Sequence, residues 1–183
     1  MKKIYILLTV LLLTSSLGYT QTGVFSLGAN LGLYVPMGDD ADAFKLSPSI
    51  GAEVGYSINP QFDLVANFSH IFLSLKGTSS SSVSYSYTEF TAGGRFNFVT
   101  EQQGKIFGEA CLGSYTAGLS ATSGGTTASV TNTEFGINAG FGGIYSINKN
   151  FDLIGKLKLH DIFTSNSSTN YLTFTAGVNY LFR

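Results

Sequence analysis

The sequence predicts an all-β protein, an eight-stranded antiparallel up-and-down β-barrel, and three observations support this prediction. Apolar and polar residues alternate with period two along most of the chain after residue 23, and no segment there repeats apolar residues at helical spacing. Short turns and long polar linkers alternate between these segments, as they do in a series of hairpins. The segments number eight, which gives a barrel whose interior is just wide enough for side chains to fill.

The composition excludes several classes of protein. Charged residues make up 11% of the 183 residues, whereas an ordinary soluble domain has roughly 25%. The aromatic content of 14% excludes a disordered chain. Ten basic residues against eleven acidic ones, without a basic run, argue against a nucleic-acid partner. Cys111 is the only cysteine, so we expect no internal disulfide, and with only His70 and His160 beside it we expect no structural zinc site. We also expect no cofactor.

The first twenty residues have the pattern of a secretory signal peptide. Lys2 and Lys3 precede an apolar run over residues 4–13, and small residues follow near residue 18. The run is too short for a membrane-spanning helix, which needs about 20 apolar residues. We therefore predict a signal peptide over residues 1–20 and a barrel domain over residues 21–183.

The eight strands are predicted from the alternating segments. They are placed at residues 25–35, 50–58, 62–75, 87–99, 106–119, 132–147, 151–163 and 171–182. Long linkers are predicted at residues 36–47, 76–86, 120–131 and 164–169, and short ones at 59–61, 100–105 and 148–150. Alternate residues of a strand share one face, and the set of residues on one face is called a parity here. In the third strand the apolar residues move from one parity to the other after Phe68, which predicts a β-bulge near His70. Asp161 falls on the parity that is otherwise apolar, so we expect it at the lipid headgroups or beyond the strand.

The two faces of the strands differ in charge. Many glycines and small polar residues lie on the parity opposite to the apolar one. The charged residues well within the strands lie there too: Glu53, Glu89, Arg95, Glu109, Glu134, Lys156 and Lys158. Small residues suit a narrow lumen, and the apolar parity suits lipid. We therefore predict a transmembrane barrel in which these seven residues form a polar network in the lumen. A soluble lipocalin-like carrier would reverse the two faces, but its surface should be dense in Lys and Glu.

Aromatic residues gather near the strand ends, as expected for two girdles at the lipid–water boundaries. One group lies beside the short turns: Tyr56, Phe62, Phe98, Tyr145, Phe151, Tyr180 and Phe182. A second group lies beside the long linkers: Tyr34, Phe72, Tyr115 and Phe163.

The end of the chain carries the most specific motif. Thr175-x-Gly177-x-x-Tyr180-x-Phe182 is similar to the terminal signal of outer-membrane barrels, and residues 22–183 resemble the small barrels of the OmpA/OmpX type. That resemblance implies an outer-membrane location, termini in the periplasm, surface-exposed long loops, and recognition of the last strand by the barrel assembly machinery. The family usually ends on the aromatic residue, whereas Arg183 follows it here.

These observations predict an integral outer-membrane protein with a structural or surface-interaction role. We expect outer-membrane lipid around it, a monomeric state, and an extracellular partner that the loops do not identify. A lipid-modifying enzyme is an alternative, but neighbouring residues such as Ser69 and His70, or His160 and Asp161, point to opposite faces of a strand. A small pore is another alternative function. The acidic stretch at Asp39, Asp40 and Asp42 is interpreted as a solvated loop.

Overall fold

The chain folds into a closed antiparallel barrel. The computed structural model describes residues 23–38, 40–76, 83–101, 103–123, 125–164 and 168–182. Its strands are β1 (Val24–Pro36), β2 (Ser47–Asn59), β3 (Phe62–Leu73), β4 (Val83–Thr100), β5 (Gly104–Ser123), β6 (Thr126–Ser146), β7 (Phe151–Phe163) and β8 (Ser168–Phe182). Each strand pairs with its neighbours in chain order, and β8 pairs with β1. The predicted eight-stranded barrel is confirmed.

A short helix, α1 (Asp40–Ala43), lies between β1 and β2. Among the described residues, no helix has the length and hydropathy needed to cross a membrane. The predicted signal peptide at residues 1–20 lies outside the described residues.

Two similar turns fix one end of the barrel, here called the short-turn end. The side-chain Oδ1 of Asn59 accepts hydrogen bonds from the backbone N–H groups of Gln61 and Phe62 at 2.9 and 2.8 Å. Asn148 does the same for Asn150 and Phe151 at 2.9 and 3.0 Å. An asparagine that bonds to the backbone ahead of it favours a tight turn. The first and last strands also meet at this end, because Phe25 in β1 is the register partner of Phe182 in β8.

The outer face of the barrel wall is apolar. Leu31 in β1 is 69% exposed, and Phe90 and Phe141 are similarly accessible. The predicted girdle at the short-turn end is largely present, since Phe98, Tyr145, Phe151, Tyr180 and Phe182 all lie exposed on the outside. At the opposite end, here called the long-loop end, Phe72 and Phe163 face outward. Tyr34 and Tyr115 do not, because both are buried inside the barrel, so their assignment to a girdle was wrong.

One predicted linker proves to be a long hairpin. β5 continues to Ser123 and β6 begins at Thr126, so residues 120–131 are mostly strand. The turn contains Gly125 with a φ of 80°, a left-handed conformation that glycine adopts without strain. The threonines of this segment are β-branched and suit a strand even without an apolar face. Residues 116–123 and 126–134 are called the projecting hairpin below, because β7 begins to pair with β6 only at Phe135.

The predicted β-bulge near His70 is absent from β3. Its register with β4 is continuous from Phe62 to Leu73. Ile71 is fully buried and Leu73 packs against the same cluster of interior side chains. Apolar residues therefore occupy both faces of this part of β3, because the interior of the long-loop end is itself partly apolar. Asp161 lies on the outer parity, two residues before β7 ends.

Candidate functional site

The centre of the lumen contains a network of buried ion pairs. Arg95 on β4 lies between two carboxylates, with Nη2 at 2.7 Å from Glu53 Oε2 and 2.6 Å from Glu109 Oε2. Lys156 Nζ lies 2.6 Å from Glu53 Oε2, and Lys158 pairs with Glu109. The five side chains come from β2, β4, β5 and β7, so the network crosses the lumen. It is called the central network below.

Neutral side chains complete the central network. Asn67 on β3 connects its two halves, because its Nδ2 donates to Glu109 at 3.3 Å and its Oδ1 accepts from Lys156 at 3.0 Å. Asn179 donates to the second oxygen of Glu53 at 3.4 Å. The Arg95 guanidinium carbon lies 4.4 Å from the centre of the Phe107 ring. These contacts replace part of the hydration that the buried charges lose, which is the main cost of burying them.

A second polar cluster lies in the lumen toward the long-loop end. Glu89 Oε2 accepts a hydrogen bond from the Tyr171 hydroxyl at 3.0 Å and lies 3.2 Å from His160 Nδ1. The other ring nitrogen of His160 is 2.9 Å from Thr173 Oγ1. The His160 ring stacks on Tyr171 with 4.4 Å between the ring centres. With Tyr34 and Tyr115, which are also buried, these rings fill the lumen above the central network.

The structure thus brings together six of the seven charged residues that the sequence placed in the lumen, five in the central network and Glu89 beside it. Glu134 does not join them. It lies half-buried in the projecting hairpin, where its Oε1 accepts a hydrogen bond from Asn132 at 2.9 Å. Its parity is that of the lumen, but β7 begins to pair with β6 one residue later, so no complete barrel wall surrounds Glu134.

Several members of the two clusters are not among the predicted lumen residues, namely Asn67, Thr173, Tyr171, Asn179 and Asn138, whose Nδ2 donates to the Tyr115 hydroxyl at 3.0 Å. All of them lie on the non-apolar parity of their strands, and that parity was the signal available. Tyr34 and Tyr115 carried the same signal. Their proximity to the strand ends favoured the girdle interpretation instead.

The histidines weighed as catalytic candidates lie on different faces. His160 is fully buried in the lumen, while the neighbouring Asp161 is on the outer parity. His70 is on the outer parity with Nδ1 2.8 Å from Thr88 Oγ1, and Ser69 is buried inside. Ser165, the serine that follows His160 and Asp161 in the sequence, lies outside the described residues. In the part of the chain that is described, no three His, Cys, Asp or Glu side chains are grouped so that they could hold a metal ion.

The residues of the terminal motif lie on both faces of β8. Tyr180 and Phe182 are exposed outside, and their ring centres are 4.9 Å apart. Gly177 is on the inner parity, where an added Cβ would lie 2.5 Å from the carbonyl oxygen of Ala29. Thr175 is on the inner parity as well. The motif therefore presents its aromatic rings outward and its small residue toward β1, the strand that closes the barrel.

The loop between β1 and β2 is acidic, as the sequence indicated. Asp40 accepts a hydrogen bond from the Tyr34 hydroxyl at 3.3 Å, which connects the loop to the interior cluster. Asp42 is exposed, and Asp39 lies outside the described residues.

Comparison with known proteins gives a consistent result. A family model described as the outer membrane protein beta-barrel domain matches residues 5–182. Neisserial surface protein A superimposes with a TM-score of 0.68 and 20% identity, covering 87% of this chain and 99% of that chain. Ail, the attachment invasion locus protein of Yersinia pestis, superimposes with a TM-score of 0.60 and 17% identity, covering 88% of this chain and 100% of that chain. OprG from Pseudomonas aeruginosa superimposes with a TM-score of 0.61 and 12% identity, covering 89% of this chain and 97% of that chain. No curated protein matches the chain.

Proposed function

Because the chain belongs to the outer membrane protein beta-barrel domain family, we propose that it is an integral outer-membrane protein with a sealed lumen and a surface-interaction role. The observation that carries this proposal is the contrast between its two faces. The outside of the wall exposes Leu31, Phe90 and Phe141, and the inside holds the central network. Lipid tolerates the first arrangement, and charge is tolerated only on the inner one.

The sealed lumen follows from how the interior is filled. The central network connects strands on opposite sides of the barrel, and the aromatic cluster lies above it. A cavity of about 30 Å³ lies at the short-turn end, and another of about 20 Å³ lies between Glu89 and Lys156. Such volumes hold single water molecules rather than a continuous water column. A lipocalin-like carrier is not supported, because an apolar ligand would have to displace buried ion pairs.

The projecting hairpin supports the surface-interaction role. Residues 126–134 of β6 pair with β5 on one side, while β7 pairs with β6 only from Phe135 onward. The free edge carries no proline and no charge before Glu134, and its side chains are exposed. Proteins usually protect a free strand edge with Lys, Pro or a bulge, because an open edge can pair with another strand. We propose that an extended segment of an extracellular partner adds to this edge.

The last strand is proposed to guide assembly. Its outward aromatic residues and its pairing with β1 suit recognition by the barrel assembly machinery, as the resemblance to small outer-membrane barrels implies. We propose no catalytic activity for the chain.

A gel assay and a conductance measurement test the proposal. The membrane fraction is run in SDS with and without boiling, and the refolded protein is added to a planar lipid bilayer. We expect a folded band that shifts only on boiling, and no steady conductance steps. Recovery in the soluble periplasmic fraction would overturn the membrane placement, and regular conductance steps would overturn the sealed lumen.

The surface role has its own experiment. Leu119 and Val130 are register partners, so residues 120–129 can be replaced by Asn-Gly, which forms a two-residue hairpin turn. The shortened protein should keep its heat-dependent gel shift and lose binding of cells to host-cell or matrix proteins. Binding equal to that of the native protein would exclude the hairpin as the contact surface.

A further inference from the structure

A small cavity closes the lumen at the short-turn end. It has a volume of about 30 Å³, and residues from all eight strands line it. Four charged side chains are among them: Asp63 on β3, Arg95 on β4, Lys105 on β5 and Asp152 on β7. The cavity is separate from the predicted lumen residues except for Arg95, which belongs to the central network.

The two aspartates in this cavity lack partners for one oxygen each. Asp63 is 6% exposed and Asp152 is 8% exposed. The Oδ1 atom of each is buried and, among the described residues, accepts no hydrogen bond. The second oxygen of Asp63 accepts a bond from Asn97 Nδ2 at 3.1 Å. Asn97 Oδ1 is also buried without a hydrogen bond. Three oxygen atoms at this end of the lumen therefore have neither a donor nor a cation among the residues that the structure describes.

The nearby positive charges do not pair with these oxygens. The guanidinium of Arg95 is engaged by Glu53 and Glu109. Lys105 is half-buried and, within the described part of the chain, forms no ion pair. In the central network two carboxylates face three cations, and the additional carboxylate of Glu89 balances the third. Within the described ranges, the carboxylates of Asp63 and Asp152 therefore have no paired cation.

A buried carboxylate oxygen without a partner is costly, because it loses its hydration and gains no hydrogen bond or ion pair in return. Carboxylate and amide oxygens are the ligands of hard divalent cations, and Ca²⁺ tolerates an irregular site completed by water. The cavity has room for one species of the size of a water molecule. We propose that this cavity binds a divalent metal cation through Asp63 and Asp152, with neutral oxygens of the cavity wall completing the shell.

Only two acidic side chains contribute, which sets the expected affinity. Calcium sites with few charged ligands bind with dissociation constants on the order of 10⁻⁴–10⁻³ M. The test uses the refolded full-length barrel in neutral detergent, treated with EDTA and dialysed. CaCl₂ is then titrated against NaCl at equal ionic strength, and the midpoint of thermal unfolding is read from the heat-dependent gel shift. A ligand that binds only the folded state raises this midpoint.

We expect a saturable rise of the midpoint with CaCl₂ that NaCl does not reproduce. Asp63→Asn and Asp152→Asn should each weaken the response at least tenfold in half-saturating concentration. Asp161→Asn is the matched control, because Asp161 Oδ1 is also buried without a hydrogen bond but lies near the other end of β7, outside the cavity. It should respond as the native protein does. An equal response to both salts would mean that the cavity holds water only and would overturn the proposal.

A second variant keeps the proposal testable if an aspartate variant fails to fold. Lys105→Met removes a positive charge from the cavity wall and retains most of the side-chain stem. Its half-saturating CaCl₂ concentration should fall severalfold, because a like charge no longer opposes the cation. An unchanged or higher concentration would contradict the assignment of the site.

Discussion

Arg95 contacts a single oxygen of Glu109 through two nitrogen atoms, Nε at 2.9 Å and Nη2 at 2.6 Å. The same Nη2 lies 2.7 Å from Glu53, so one guanidinium neutralises carboxylates from two other strands. The planar arginine fork suits this arrangement, in which several donors are held in fixed directions. Arg95 is therefore the residue that joins the two carboxylates of the central network, each of which has one lysine partner besides.

Replacing Arg95 by Met should destabilise the barrel strongly. Glu53 and Glu109 would keep only their lysine partners, and removing one member of a buried ion pair typically costs about 3–5 kcal/mol. The free energy of unfolding is measured by urea titration in lipid vesicles. Lys149→Met, in the exposed turn between β6 and β7, is the control and should change stability by less than about 0.5 kcal/mol. A loss below about 1 kcal/mol for Arg95→Met would contradict the role given to the central network.

Two glycines test how tightly the inner face is packed. A Cβ added to Gly140 would lie 2.0 Å from the carbonyl oxygen of Leu157, whereas one added to Gly155 on the outer face meets nothing within 4 Å. Gly140→Ala should lower the free energy of unfolding by about 1–3 kcal/mol because of overpacking. Gly155→Ala should leave it unchanged or raise it slightly. Equal effects of the two substitutions would be inconsistent with this close approach of the β7 backbone to the inner face of β6 at Gly140.

The membrane placement is tested by two lysine substitutions at equally exposed residues. Leu31 on the barrel wall is 69% exposed, and Val130 in the projecting hairpin is 68% exposed. Leu31→Lys should cost about 2–4 kcal/mol in lipid vesicles, because it puts a charge in the apolar band of the wall. Val130→Lys should cost little, since the projecting hairpin is proposed to extend into water. Similar costs at both residues would show that the wall is not in lipid.

The direction of the hairpin is tested by labelling. Cys111 is the only native cysteine and is buried in the lumen. Ala128→Cys places a second thiol on an exposed residue of the projecting hairpin. A membrane-impermeant maleimide added to intact cells should label the variant and leave the native protein unlabelled until it is denatured. Without labelling of the variant, the hairpin cannot lie on the cell surface.

The sequence predicted the barrel well because inside and outside are encoded locally. The alternation of β1, from Phe25 to Leu33, can be interpreted without knowing what lies beside it. The sequence pattern is misleading where two different structures produce the same local pattern. Ile71 and Leu73 were interpreted as a bulge, although an apolar interior accounts for them. Residues 120–131 were interpreted as a linker, because Ser and Thr suit both a loop and a water-exposed strand.

Parity, strand number and the polarity of the two faces were determined by the sequence alone, because each depends on residues one or two positions apart. Which charges meet was decided only by the tertiary structure. Glu53 and Lys156 are 103 residues apart and come together because of the stagger of the strands around the closed barrel. Parity assigned Glu134 to the lumen as firmly as Glu109. Only the height at which β7 joins the wall left Glu134 outside the network.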